Sequence, residues 1–312
     1  MAEVRRSSRI DVHHHFYPPE YLGVMGDVAK RPVVRDWTVS RSLAEMDQNG
    51  VGAAVLSLSP PGLHHVGKEE TRRLARVVNE HAAKLRSTYP ARYGHFASVP
   101  MPDVDGTLAE IAYALDTLGA DGIQVMTSYG ERYPGDPHFV PVMEELNRRA
   151  ALVFVHPLAP VCCAPSLRWI QPSLFEFTQD TNRCVFSLLF TGTLARFPEI
   201  RFIFCHSGAA VPVLAGRAAV MGFGREFAEK MPNGIDYELR KLYYDVALQA
   251  NRPALAALFA YVPISQVLLG SDYPFGRSAD GIRGLEEYGL ARSDLEAIYR
   301  GNAERLLPRL KV

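Results

Sequence analysis

The chain has 312 residues, a length that suits one large domain with a deep core. Hydrophobic residues make up 47% and charged residues 22%, which excludes a disordered or low-complexity chain. Lys plus Arg and Asp plus Glu both number 34, so neither a nucleic-acid footprint nor a membrane-surface patch is expected.

The start, MAEVRRSSR, is charged but leads into no apolar run of signal-peptide type. No apolar stretch reaches the roughly 18 residues of a membrane span. Cys162, Cys163, Cys184 and Cys205 lack CxxC spacing and are expected as free thiols. These features together point to a cytoplasmic protein.

Short β-rich runs then alternate with helical patterns. Residues 9–13 form the first β run, and a long connection at about 16–40 follows it. Residues 40–49 carry Leu43 and Met46 on one helical face, with Gly50 placed to stop the helix. The second β run is 51–57, and a helix over 69–89 has Leu74, Val77 and Val78 at helical spacing. Runs 93–99 and 122–126 are followed by helices over 107–118 and 137–149, the latter after a longer connection at 129–137. Run 151–156 leads into a long apolar helix over 173–197. Runs 201–206, 242–245 and 267–271 complete the set, with a helix over 253–259 and a last helix opened by the capping box Ser293-x-x-Glu296. Eight β runs with intervening helices predict an α/β chain, a single (β/α)8 TIM-like barrel over 1–312. The insertions at about 16–40 and 129–137 leave strand C-terminal ends and would wall a pocket. No G-x-G-x-x-G follows the first strand, which argues against a doubly wound nucleotide-binding sheet.

The polar residues that close these runs carry the chemistry. Side chains alternate along a strand, so His13 and His15 share one side and His14 takes the other, as a supporting residue. The fifth run ends in His156, the sixth in His206 and the eighth in Asp272. In a barrel these ends converge on one mouth. Singly, each has a plain reading as a surface histidine or a helix N-cap. Together, imidazoles and a carboxylate are donors for zinc, manganese or iron, with a position left open for water or substrate. The other histidines (His64, His65, His81, His95 and His138) are placed in loops or helices without a role.

The same residues resemble a family signature. Asp-x-His-x-His over Asp11 to His15, His156-Pro, His206-Ser-Gly and Gly270-Ser-Asp-Tyr-Pro are similar to the amidohydrolase superfamily. Leu43-Ala-Glu-Met-Asp-Gln-Asn-Gly-Val, Phe96-Ala-Ser-Val-Pro and Thr191-Gly-Thr-Leu extend the likeness to the branch of 2-amino-3-carboxymuconate-6-semialdehyde decarboxylase. Ile10-Asp-Val-His-His-His-Phe-Tyr-Pro-Pro and Tyr113-Ala-Leu-Asp-Thr-Leu-Gly-Ala-Asp-Gly most resemble 6-methylsalicylate decarboxylases. The resemblance implies a distorted barrel and one divalent ion on His13, His15, His156 and Asp272, with His206 beside it as a catalytic neighbour. Zinc is the default ion and manganese the alternative, with no organic cofactor. The fourth strand carries Gln124 and Val125 and no lysine, in keeping with one ion rather than two. Arg217 matches an arginine that crosses a dimer interface to a substrate carboxylate, which implies a homodimer or a dimer of dimers. His156-Pro-Leu, where the semialdehyde decarboxylases have His-Pro-Trp, leaves room for an aromatic ring.

The expected reaction is non-oxidative decarboxylation of a small hydroxybenzoate-type acid, 6-methylsalicylate-like, to CO2 and a phenol. Asp272 would donate the proton and His206 relay it. Phe275, Trp169, Phe186 and Phe190 are candidate ring contacts. The alternative is a hydrolase or hydratase acting on an ester, lactone, amide or enol acid through a His206-activated water on the ion. A non-catalytic barrel would have no use for the full donor set.

Overall fold

The computed structural model describes residues 9–163, 169–221 and 225–311; the charged start, residues 1–8, lies outside them. The strands are β1 (Arg9–His15), β2 (Val51–Ser57), β3 (Tyr93–Ser98), β4 (Gly122–Met126), β5 (Leu152–His156), β6 (Arg201–Phe204), β7 (Tyr243–Asp245) and β8 (Val267–Leu268). They form one eight-stranded sheet in chain order, and every neighbouring pair is parallel. This is the expected (β/α)8 architecture.

Closure onto β1 uses the chain beyond β8. The N–H of Val12 donates to Leu269 O at 3.0 Å, that of Asp272 to His13 O at 2.9 Å and that of His15 to Tyr273 O at 2.8 Å. The eighth strand is shorter than expected because its end is committed elsewhere. Ser271 N–H donates to the Asp11 carboxylate at 3.0 Å instead of to a ladder carbonyl, and Asp272 turns the chain with φ 61. The sixth strand also stops early. His206 enters a tight turn, His206–Gly208, in which His206, Ser207 and Gly208 have φ of 56, 55 and 69. Only glycine fits at 208, where a Cβ would stand 2.5 Å from the Tyr244 ring.

Helices Val39–Gln48, Lys68–Thr88, Val140–Arg148 and Arg252–Tyr261 lie close to the expected spans, while the helix expected over 173–197 divides into Glu176–Phe190 and Thr193–Arg196 at Gly192, whose φ is 79. Val104–Ala112 begins ahead of its expected start and passes into a π turn, Tyr113–Thr117. Helices Val211–Met221 and Ser278–Tyr288 fall outside the expected set. The first is apolar almost all round and so shows no stripe. The second contains Gly281 and Gly284, which lower helix propensity; Gly284 earns its place because a Cβ there would fall 1.8 Å from Ala250 O. The expected capping box does not form, since Ser293 lies inside the helix Arg292–Glu296, which starts from Ala291 without a side-chain cap. The 16–40 connection is built from short turns, Pro19–Leu22, Gly26–Lys30 and Pro32–Arg35, and buries Tyr21 and Val34. No described helix is long and apolar enough to cross a membrane.

The floor beneath the strand ends is aromatic. Leu152, Phe154 and His156 share one face of β5. Phe154 stacks on Phe96 with ring centroids 5.1 Å apart and meets the His13 ring at 5.1 Å. Burying such a ring contributes about 2–3 kcal/mol and seats the histidine above it on a rigid support.

His95, expected among the loop or helix histidines although it falls within the run 93–99, lies on β3, fully buried with both ring nitrogens unpartnered. Burial, opposed by the charge of Asp121 and aided by those of Arg86 and Arg309, pushes its pKa down to about 4. A histidine held neutral in the fold but titrating near 6.5 when unfolded stabilises fully above 6.5. That contribution is lost as pH falls towards the folded value. We expect His95→Phe to spare the protein roughly 3 kcal/mol of its stability loss between pH 7 and pH 4. Denaturant titrations at both pH values measure this; equal losses in the two proteins would refute it.

Candidate metal centre

Three histidines at the barrel mouth have one nitrogen committed and the other free. His13 Nδ1 lies 3.0 Å from Asp245 Oδ2, His15 Nδ1 3.2 Å from Ser57 O, and His156 Nδ1 2.9 Å from Pro157 O. Each of these partners accepts, so each Nδ1 carries a proton and donates it, leaving Nε2 of the neutral ring with a lone pair. The Nε2 atoms of His13 and His15 stand 3.3 Å apart. Asp272 Oδ1 lies 3.2 Å from the first and 2.9 Å from the second. His156 Nε2 and Asp272 Oδ1 are buried without any hydrogen-bond partner. The His156 ring centroid is 5.0 Å from that of His13 and 4.9 Å from that of His15.

Lone pairs facing each other at this range repel unless a cation or a proton stands between them. The 3.3 Å spacing suits two nitrogens bound at about 2.0–2.1 Å to one ion. The donor set therefore fits a divalent metal.

His206 completes the cluster from another side, with Nε2 3.4 Å from Asp272 Oδ2. One ligand atom each from His13, His156, His206 and Asp272 lies within 4.8 Å of all the others. His15 and His206 both approach Asp272, and no ring contact joins them to each other. His14 faces away, bonded to Asp11 Oδ2 at 3.0 Å and Ser42 Oγ at 2.8 Å, and stacked on Tyr273.

Asp245 is the functional residue that sequence reasoning passed over. Its Oδ2 orients His13, while its Oδ1 accepts the backbone N–H of His206 at 3.0 Å and of Ala247 at 2.9 Å. The signal was available, because Asp245 closes β7 as the other site residues close their own runs. Backbone strain concentrates nearby. Left-handed φ values at His206, Ser207, Leu248 and Asp272 cost of the order of 1–3 kcal/mol each.

Electrostatics prepare the donors. Burial, reinforced by the charges of His15 and His13, holds His156 well below its ordinary value, and burial likewise lowers His15. Burial works against the charge of Asp272, yet His13, His15 and His206 outweigh it and hold the carboxyl well below the carboxylate range. Burial also opposes a charge on His13, but Cys205, Asp245 and Asp272 overcome it and hold His13 well above 6.5. Because burial keeps Cys205 a neutral thiol, the two carboxylates supply that attraction. Without metal, a proton on His13 thus stands where a cation would. Its stabilisation is fully present below 6.5 and is lost as pH rises through the raised value. We expect metal uptake at pH 7 to release about one proton per chain. Calorimetry in buffers of different ionisation enthalpy reads this number directly; zero release would contradict the assignment.

The remaining site expectations divide. The Phe275 ring lies 6.1 Å from that of His15, at the cluster. Trp169 is 84% exposed and makes no described contact with the histidines. Phe186 is not at the cluster but stacks on Phe190 in an outward apolar groove of about 430 Å³ that also contains Arg217. The reason is helical phase. Phe177, about two and a half turns earlier on the same helix, takes the inner side, 6.4 Å from the His156 ring. Within one chain Arg217 does not reach the cluster. Two residues of the 16–40 connection stand closer. The Tyr17 hydroxyl is buried without a hydrogen-bond partner, and Arg31 lies 4.9 Å over the Phe275 ring.

Comparison with known proteins extends over the whole barrel. The amidohydrolase family matches residues 10–309. The chain is 36% identical to 6-methylsalicylic acid decarboxylase of Aspergillus aculeatus, over 97% of both chains. It is 35% identical to 6-methylsalicylic acid decarboxylase of Penicillium expansum, again over 97% of both. Its fold is similar to 5-carboxyvanillate decarboxylase of Novosphingobium aromaticivorans, solved with bound manganese and a nitrobenzoic acid, with a TM-score of 0.89 and 22% identity over 96% of this chain and 97% of that one.

Proposed function

The chain belongs to the amidohydrolase family, and we propose that it is a metal-dependent, non-oxidative decarboxylase of a hydroxybenzoate-type acid resembling 6-methylsalicylate. One observation carries this reading: full-length likeness to 6-methylsalicylic acid decarboxylases coincides with a buried donor set whose free nitrogens and carboxylate converge. The relatives favour carbon–carbon cleavage over the hydrolytic alternative.

His13, His15, His156 and Asp272 are the proposed ligands. An ion held there would act as Lewis acid and template for the phenolic and carboxylate oxygens of the substrate. The chain's own residues then manage the proton. Cleavage at an arene requires a proton on the carbon that loses the carboxylate, where the C–H bond replaces the C–C bond as CO2 departs. Asp272 rests as an anion, so it must first take a proton, and His206 at 3.4 Å is the neighbour placed to supply one. Asp245 fixes the His206 main chain during the transfer. Phe177 and Phe275 flank the cluster and suit an aromatic ring. Arg31 and the Tyr17 hydroxyl offer donors to the carboxylate.

Zinc remains the proposed ion for so histidine-rich a set, with manganese its competitor given the carboxylate ligand and an oxygen-rich substrate. Reconstituting metal-free protein with each ion separates them by turnover. We further read the chain as a homodimer or dimer of dimers. Val213, Val220 and Met221, exposed by 67%, 83% and 49%, lie on the helix that carries Arg217, and a second copy seated there could present that arginine to its neighbour's site.

The deciding experiment incubates metal-loaded protein with a panel of salicylates and follows CO2 and the decarboxylated phenol. We expect stoichiometric release from at least 6-methylsalicylate or a close analogue. Hydrolysis of lactones or esters with no CO2 from any salicylate would sink the reading.

A further inference from the structure

The turn that follows His156 carries two adjacent cysteines outside the metal centre. Pro160 O accepts the amide N–H of Cys163 at 3.1 Å, which folds residues 160–163 into a turn. Cys162 is exposed and Cys163 partly so, and their Sγ atoms face one another at 2.6 Å. Arg183 brings Nη2 to 3.5 Å from Cys163 Sγ, while its Nη1 is shut off from solvent without a hydrogen-bond partner. A guanidinium beside a thiol stabilises the thiolate and the transition state of thiol attack. The hydrogen bond with Cys162 pushes the Cys163 thiol up, and the Arg183 charge pulls against it. The other two cysteines differ in kind. Cys184 and Cys205 are fully buried, and burial pushes both thiols well up, which leaves them inert.

We propose that Cys162 and Cys163 form a reversible oxidation site in the turn that follows His156, closing to a disulfide between neighbouring residues when a peroxide arrives. The thiolate of the exposed Cys162 attacks one peroxide oxygen. An S–O bond forms, the O–O bond breaks, and hydroxide leaves, giving a sulfenic acid. The Cys163 thiolate then attacks that sulfur; the S–S bond forms, the S–O bond breaks, and the hydroxyl leaves as water with a proton. Two thiols and one hydrogen peroxide become one disulfide and two waters, with the sulfurs oxidised and the peroxide reduced. Adjacent residues have Cα atoms about 3.8 Å apart, nearer than ordinary disulfide geometry prefers, so the closed ring is readily reduced again. The change stays in the turn. Thr127 Oγ1 accepts the N–H of Leu158 at 3.0 Å and anchors the chain between His156 and the cysteines.

The test treats metal-loaded protein with equimolar hydrogen peroxide, alkylates it, and weighs the peptide holding both cysteines. We expect that peptide to lose two hydrogens and take no alkyl group, to regain both thiols with a small dithiol, and to leave metal content unchanged. Cys184 and Cys205 should still alkylate after denaturation. The Cys163→Ser protein should instead gain oxygen at Cys162. As an independent measurement, reduced protein should bind one phenylarsine oxide, with water leaving as two As–S bonds form, and the peroxide-treated protein and Cys163→Ser should bind none tightly. Two alkylatable thiols after peroxide, separate oxygenation of each sulfur, or a disulfide joining two chains would overturn the proposal.

Discussion

Asp272→Asn should lower kcat by about 10,000-fold and weaken metal retention as well. The substitution removes the negative charge from the only carboxylate in the proposed ligand set, whose Oδ1 lies 2.9 Å and 3.2 Å from the His15 and His13 nitrogens, and leaves a neutral amide as a weaker donor there. An amide cannot take up and pass on a proton, so the carrier is lost while the ligand is weakened. Asparagine is the informative choice because position 272 has φ 61. Asparagine tolerates the left-handed region where most side chains do not, so the variant should fold. In the metal-free state it should also lower the His13 pKa, since one of the two carboxylates that hold that proton is gone. Metal analysis, steady-state CO2 release and a thermal melt together read these effects. Turnover near the wild-type rate in a metal-loaded variant would remove Asp272 from both roles.

His206→Asn should separate chemistry from binding. The expected result is full metal content with kcat reduced by about 100- to 1,000-fold. His206 reaches Asp272 through Oδ2 rather than the Oδ1 shared by His13 and His15. Its main chain is held by Asp245 whatever side chain it carries. Its φ of 56 again favours asparagine as the replacement. The close packing of His206 with His13, His156 and Asp272, within 4.8 Å, makes the competing outcome concrete. Parallel loss of metal and activity would make His206 a ligand, and the proton relay would need another residue.

The chain's order of strands and the identity of its strand-end residues were legible without coordinates. Apolar runs of fixed length closed by His13, His15, His156, His206 and Asp272 stand out because the two-residue period of a strand is local and survives in one dimension. The same rule extended to β7 would have found Asp245. What the periodicity missed shares a different character. The helix Val211–Met221 has no stripe because it is apolar on nearly every side, and the shortening of β8 depends on a serine finding Asp11 across the chain.

Side-chain direction on helices and loops belonged to the tertiary structure alone. Phe186 and Phe177 are equally aromatic, and only the docking of their helix decides that Phe177 turns towards His156 and Phe186 towards the outer groove. Arg31 and Phe275 meet only because the 16–40 connection folds back over the mouth. The sequence by itself determined which residue types stand at the strand ends, and hence that a metal-ligating set exists. The structure decided which nitrogen of His13 and of His15 is free, because that depends on Asp245 and Ser57 O being brought against the other one. Local periodicity sets what faces together along one strand, but a hydrogen bond between distant segments exists only once the barrel has closed.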